Sequence, residues 1–122
     1  MTTLPDTLPP LTTLTEDERL LRNSVRAFAN AEIRPQVRQM DERQTIPRVL
    51  LDGLFALGVM GIEIPDEFGG GNARFFHATL VVEALARVDP SVAVLVDVQN
   101  TLVNNAVLRW GDAGLKSRYL SR

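Results

Sequence analysis

The hydrophobic positions that follow residue 14 repeat with the period of an α-helix. Leu21 and Val25 lie four residues apart and begin an apolar stripe along a first predicted helix. Residues 15–18 have the form of a capping box, in which a threonine hydroxyl and a glutamate satisfy two free backbone donors at the helix start. Pro35 has no backbone N–H, so we expect the helix to kink or break near residues 33 and 34.

Four more helical segments follow along the chain. The second begins near Pro47 and ends at Gly58, because a glycine there can adopt the left-handed conformation that closes a helix. The third covers about residues 73–88, the fourth runs from Pro90 to about Trp110, and Asp112 can cap a last short helix. With no alternating strand pattern, the sequence predicts an all-α, bundle-like unit of about five helices.

The fourth predicted helix carries two different stripes. Its first half is apolar on nearly every side, which predicts that it is buried all round. Polar side chains follow at helical spacing, namely Asp97, Asn100, Thr101 and Asn104. They must meet partners, water or solvent, because an unpaired buried polar group is costly. Hydrogen bonding to other helices, plain exposure and a ligand cavity beside this helix all remain open. On another face, Val94, Val98 and Leu102 would form a smooth hydrocarbon wall.

Composition narrows the possible functions of the 122-residue chain. Thirteen basic residues against fifteen acidic ones give a net charge of −2, which is not the basic patch of a nucleic-acid binder. The absence of cysteine excludes disulfides and cysteine-type zinc sites, and with one histidine we expect no metal site. The longest apolar run, residues 92–96, is far shorter than the ~20 residues that span a membrane. We therefore expect no membrane span.

The first fourteen residues contain three prolines and five threonines, and they lack the basic residues of a signal or transit peptide. We expect residues 1–14 to form an extended, flexible arm and residues 15–122 to form one helical domain.

Three features invite a chemical interpretation, and a structural one is simpler for each. The three glycines at 69–71 lack the lysine of a Walker loop and the preceding strand of a dinucleotide fingerprint, so they predict a turn. His77 has no second imidazole or nucleophile near it in the sequence and is better explained as a packed or half-exposed side chain. Glu83 lies four residues before Arg87, which favours an ion pair within the helix.

Several segments, in order, resemble the acyl-CoA dehydrogenases. The sequence LGVMGI at residues 57–62, followed by IPDEFGG at 64–70, is similar to a segment of that family, as is EALARVDPS at 83–91. Further similar segments are residues 14–16, 25–29, 32–35, 99–104 and 110–120. The sequence of residues 92–104 is most similar to that of the short/branched-chain acyl-CoA dehydrogenases.

The resemblance implies an N-terminal α-helical domain of an FAD-dependent enzyme that dehydrogenates short or branched-chain acyl-CoA thioesters between their α and β carbons. Family members add an FAD-binding β-domain and a second helical domain with the catalytic glutamate, and this chain ends before both. No acid here aligns with that glutamate. We therefore expect no catalytic residue, no bound FAD and no activity for the 122-residue chain alone.

The resemblance also implies partners and a role for one face of the fourth helix. Val94, Val98 and Leu102 align with positions that wall the acyl pocket in the family, so they are the expected substrate-binding residues. The full-length enzyme would be a homo-oligomer, a tetramer, reoxidised by an electron-transfer flavoprotein, in the mitochondrial matrix or the bacterial cytoplasm. The alternative is a stand-alone helical interaction module without enzymatic activity.

Overall fold

The computed structural model describes residue 10 and residues 13–121. Within these residues the regular structure is entirely helical, which confirms the predicted all-α class. Most of the predicted arm (residues 1–9, 11 and 12) lies outside the described residues. The arm and the domain boundary at residue 15 therefore stay predictions.

The first helical run extends from residue 16 to residue 43 and changes its winding in the middle. Helix α1 (Glu16–Phe28) starts at the predicted capping box, in which the Thr15 N–H donates to Glu18 Oε2 over 2.8 Å and the Glu18 N–H donates to Thr15 Oγ1 over 3.2 Å. A π-helical segment (Ala29–Ile33) and a 3₁₀ turn (Arg34–Gln36) lead into helix α2 (Val37–Arg43). Pro35 accounts for the irregular stretch, because its ring and its missing N–H are incompatible with a regular α-helix.

Helix α3 (Arg48–Leu57) ends at Gly58, whose φ of 84° is the predicted left-handed C-cap. The chain then runs through a link at residues 59–65 and a 3₁₀ turn (Asp66–Phe68). The glycine-rich turn, which contains the glycines at 69–71, leads into helix α4 (Phe75–Ala86). Helix α4 is two residues shorter at each end than predicted.

The next helical run is continuous from Pro90 to Trp110 and is called the long helix below. It consists of α5 (Pro90–Asp97), a π-helical segment (Val98–Asn104) and α6 (Asn105–Trp110). The short helix α7 (Ala113–Tyr119) follows. Asp89 caps α5 through the Ser91 N–H, and Asp112 caps α7 through the Leu115 N–H, as predicted. Counted as continuous runs, the described chain has the five predicted helices.

The hydrophobic core lies where α4 packs against both α1 and α5. Leu50 and Leu54 of α3 and Val59 of the link close the same core. The largest fully buried side chains are Val25, Ile33, Leu50, Leu54, Val59, Val81, Leu85, Val92 and Val96. No helix in the described part of the chain is long and apolar enough to cross a membrane.

Two sequence predictions are wrong. The first half of the long helix is not buried on all sides: Val92 and Val96 are fully buried, but Val94 is 59% exposed because no described element packs on its side. The predicted Glu83–Arg87 ion pair does not form within the described residues, where both side chains are exposed. Exposed ion pairs gain little energy in water, so helical spacing alone does not bring them together.

Candidate functional site

Asn100 anchors the buried face of the long helix to the link that follows α3. Its side chain is only 2% exposed. The Asn100 Nδ2 donates to the Val59 carbonyl at 2.7 Å and to the Val96 carbonyl at 2.9 Å, while the Ile62 N–H donates to Oδ1 at 2.9 Å. One buried amide thus satisfies three backbone groups, two of which belong to a segment without regular secondary structure.

Asn104 repeats this arrangement one turn later. Its Nδ2 donates to the Met60 carbonyl at 2.9 Å, and its Oδ1 accepts from Gln99 Nε2 at 2.9 Å. Asn100 and Asn104 are therefore neither exposed nor bonded to another helix: their partners outside the long helix are backbone groups of the non-helical link. Residues 59–62 are held against the long helix along one whole turn.

The remaining residues of the stripe bond within the helix itself. The Thr101 hydroxyl donates to the Asp97 carbonyl at 2.8 Å and lies 3.2 Å from Asp97 Oδ1, and Asn105 Nδ2 donates to the Thr101 carbonyl at 3.2 Å. Side-chain donors of this kind occupy the carbonyls four residues earlier, which an α-helix uses for its own ladder. The helix between Val98 and Asn104 has π-helical winding, a feature that often marks functional sites.

The glycine-rich turn supports the other side of the link. The N–H groups of residues 71–73 donate to the carbonyls of Gly61, Ile64 and Ile62, each at 2.9 Å. A side chain on Gly70 would overlap the Ile64 carbonyl, so only glycine fits at this close approach. These internal bonds confirm the predicted turn. Because its amides are already used, the turn does not fit the phosphates of FAD or of another nucleotide.

Val94, Val98 and Leu102 lie along the opposite, exposed face of the long helix. Their exposed fractions are 59%, 38% and 63%. Residues four apart drift by about 40° per step around an α-helix. A π-helical turn contains more than four residues, so the drift between Val98 and Leu102 runs in the opposite direction and offsets the first step, which keeps the three side chains on one face. We call this surface the valine face. It offers hydrocarbon contact and no hydrogen-bonding side chain.

His77 lies at the start of α4, where it is half-buried. Its Nδ1 accepts from the Arg74 N–H at 3.3 Å, so it satisfies a free donor at the helix start. This is the structural role expected from the sequence. Among residue 10 and residues 13–121, no group of three His, Asp or Glu side chains is placed to hold a metal ion.

Sequence reasoning missed the partner of the two asparagines and an open cleft beside them. The cleft has a volume of about 490 Å³ and lies between the glycine-rich turn, Gln99 and the end of α7 at Tyr119. Its walls come from segments that are distant in the sequence, so no local pattern could have predicted it.

The comparisons with known proteins agree with this fold. The family described as "Acyl-CoA dehydrogenase, N-terminal domain" matches residues 15–122. A probable short/branched chain specific acyl-CoA dehydrogenase of Dictyostelium discoideum is 46% identical over 114 residues, which are 93% of this chain and 28% of that protein. The mitochondrial short/branched chain specific acyl-CoA dehydrogenase of Bos taurus is 42% identical over 94% of this chain and 27% of its own length.

A solved structure gives the same result. Butyryl-CoA dehydrogenase from Megasphaera elsdenii superposes with a TM-score of 0.81 and 25% identity, covering 89% of this chain and 29% of that one. The described residues thus have the fold of an acyl-CoA dehydrogenase N-terminal domain. The chain belongs to the acyl-CoA dehydrogenase N-terminal domain family, and its relatives of the short/branched-chain type are acyl-CoA dehydrogenases, which are oxidoreductases. It spans a little over a quarter of the length of the curated relatives that it matches.

Proposed function

We propose that this chain acts as the N-terminal helical domain of an FAD-dependent dehydrogenase of short or branched-chain acyl-CoA thioesters. In this role the valine face forms part of the wall of the acyl pocket. The observation that carries the proposal is the contrast across the long helix: its buried face is anchored by Asn100 and Asn104, while its other face presents three apolar side chains to solvent. Exposed apolar patches mark surfaces that meet a ligand or another protein segment, and the proposal assigns this one to the acyl chain.

The side chains of the valine face favour a short acyl group. Val94 and Val98 are β-branched and hold few rotamers, so they make a stiff boundary. A straight chain that reached past them would overpack, at a cost of about 1–3 kcal/mol. A short or 2-methyl-branched acyl group would fit against the same surface. The names of the relatives from Dictyostelium and cattle support this substrate class.

In this proposal the described residues contact the acyl chain, shape one wall of its pocket and exclude water from it. The backbone amides of the glycine-rich turn are already used within the turn, so the proposal places the flavin, which would accept the hydride, and the base that removes the α-proton outside residues 13–121. An electron-transfer flavoprotein as the oxidant and a homotetrameric assembly belong to the same proposal. So does a location in the mitochondrial matrix or, in a bacterium, the cytoplasm.

A chimaeric enzyme tests this role. Residues 15–122 replace the matched segment of the Dictyostelium relative, and the product is assayed for dye reduction with 2-methylbutyryl-CoA. We expect a yellow enzyme that oxidises this substrate. Introducing Val98→Asp into the chimaera should abolish turnover, because the acid would meet the acyl chain. The control, Leu20→Asp, charges an exposed position on α1 that lies outside the valine face and should retain activity.

A chimaera that folds and binds flavin but oxidises no acyl-CoA would contradict the proposal. It would favour the alternative of a helical interaction module without enzymatic activity.

The 122-residue chain alone should behave differently from the chimaera. We expect a colourless preparation without acyl-CoA oxidation, because the proposal places the flavin and the base outside residues 13–121. Absorbance near the flavin bands and dye reduction are the measurements. A stable flavin spectrum after gel filtration would show that this expectation is wrong.

A further inference from the structure

The winding of the long helix changes beside the valine face. The segment Val98–Asn104 is π-helical, whereas α5 before it and α6 after it are α-helical. In an α-helix each carbonyl accepts from the N–H group four residues later, and in a π-helix it accepts from the N–H group five residues later. The spacing of the backbone hydrogen bonds therefore changes at the start of this segment.

Side-chain donors bond to the carbonyls at this change of spacing. Asn100 Nδ2 donates to the Val96 carbonyl at 2.9 Å, and the Thr101 hydroxyl donates to the Asp97 carbonyl at 2.8 Å. In an α-helix the backbone N–H groups of residues 100 and 101 would bond to these two carbonyls. Asn100 also holds the link, whereas the described bonds of the Thr101 side chain stay within the helix. Thr101 can therefore be changed without removing a bond to the link.

Helix α4 contains a threonine in the same arrangement but has a regular winding. The Thr79 hydroxyl lies 3.3 Å from the Phe75 carbonyl, which is longer than the usual O–H···O range, and the Thr79 side chain is exposed. Thr101 makes a bond of ordinary length and is half-buried, so water competes less for its hydroxyl. A side-chain donor bound to a carbonyl four residues earlier competes with the α-helical backbone bond. The stronger bond of Thr101 therefore favours the π-helical winding.

The winding decides on which side of the helix Leu102 lies. With α-helical winding throughout, two steps of four residues would carry Leu102 about 80° around the helix from Val94. The π-helical segment offsets this rotation. We propose that Thr101 is a positioning residue for the acyl pocket: its hydroxyl stabilises the winding that keeps Leu102 on the valine face. This inference rests on the proposed role of the valine face as a wall of that pocket.

The chimaeric enzyme tests the effect on specificity. The ratio of kcat/KM for hexanoyl-CoA to that for 2-methylbutyryl-CoA is measured in Thr101→Val, which keeps the shape of the side chain and loses the donor. We expect this ratio to rise by about three- to tenfold, because Leu102 turns away from the acyl chain. Thr101→Ser keeps the hydroxyl and should restore the parent ratio within about twofold. The matched control, Thr79→Val, removes the longer bond of α4 and should leave the ratio unchanged.

A double variant shows whether Thr101 acts through Leu102. Leu102→Ala alone should raise the ratio by about tenfold, since it removes the same part of the wall. Adding Thr101→Val to Leu102→Ala should change the ratio by less than about twofold, because the effects of two coupled residues do not add.

NMR of the 122-residue chain measures the winding without any assay of activity. Couplings across hydrogen bonds identify the carbonyl that accepts from each backbone N–H group. In the parent and in Thr101→Ser, the N–H groups of residues 102–104 should couple to carbonyls five residues earlier. In Thr101→Val they should couple to carbonyls four residues earlier.

Unchanged couplings in Thr101→Val would overturn the positioning role, and so would a ratio that rises equally in Thr101→Val and Thr101→Ser. Additive effects of Thr101→Val and Leu102→Ala would overturn the route through Leu102. If Leu102→Ala leaves the ratio unchanged while the couplings change in Thr101→Val, the acyl-pocket role of the valine face is contradicted and the role of Thr101 in the winding is supported.

Discussion

The two faces of the long helix come from the same stretch of sequence, but one face is buried and bonded to the rest of the domain, while the other is exposed. On the buried face, Val92 and Val96 fill the core, and Asn100 and Asn104 bond to residues 59–62. On the exposed face, the three side chains of the valine face have no described partner. The comparison teaches that one helix face can hold the fold together while the other stays available for a ligand. Substitutions on the two faces should therefore separate stability from function.

The largest loss of stability is expected from Asn100→Ala. It leaves the Val59 carbonyl and the Ile62 N–H buried without their side-chain partner. Each such group costs about 1–3 kcal/mol, so the free energy of unfolding should fall by about 3–5 kcal/mol. Urea unfolding followed by circular dichroism measures this loss. The matched control, Asn105→Ala, removes one bond within the helix and should cost less than about 1 kcal/mol. Similar losses in the two variants would contradict the anchoring role.

Asn104→Ala should have a smaller effect than Asn100→Ala. It leaves the Met60 carbonyl and the Gln99 amide without their bonds, and Gln99 is only half-buried and can turn toward water. We expect a loss of about 1–3 kcal/mol. Hydrogen exchange of the backbone amides in residues 59–62 should accelerate as well, because the link loses one of its attachments. An unchanged exchange rate there would show that Asn104 does not hold the link.

A pair of valine substitutions compares the faces directly. Val96 is fully buried, and Val96→Ala should lower the free energy of unfolding by about 2 kcal/mol through lost burial and a small cavity. Val94→Ala removes the same two methyl groups from a side chain that is 59% exposed, and should cost under about 0.5 kcal/mol. Thermal unfolding of the two variants measures the difference. Equal costs would mean that another surface covers the valine face.

The features of the fold that could be predicted from the sequence alone are those determined by interactions between residues close together in the chain. The capping box at Thr15, the closing Gly58 and the caps at Asp89 and Asp112 depend on local hydrogen bonds and backbone conformation. Local chemistry of this kind is visible in a short stretch of sequence.

The partners of the polar stripe could not be predicted in the same way. Asn100 and Asn104 bond to a link about 40 residues earlier in the chain, and only the tertiary fold brings the two segments together. The sequence indicated that these side chains needed partners, but it did not identify them. Similarly, hydrophobic residues on every side of α5 did not reveal which side would stay uncovered. The role of the valine face as an acyl-pocket wall remains a prediction.

The chain-length preference of the chimaeric enzyme tests that role most directly. The ratio of kcat/KM for hexanoyl-CoA to that for 2-methylbutyryl-CoA is measured in the parent, Val94→Ala and Val98→Ala. We predict that both variants raise this ratio by about tenfold, because the shortened side chains relieve overpacking of a longer straight acyl group. Val103→Ala, the same substitution at a neighbouring exposed position, should leave it unchanged. An unchanged ratio in both Val94→Ala and Val98→Ala would contradict the assignment of the valine face to the acyl pocket.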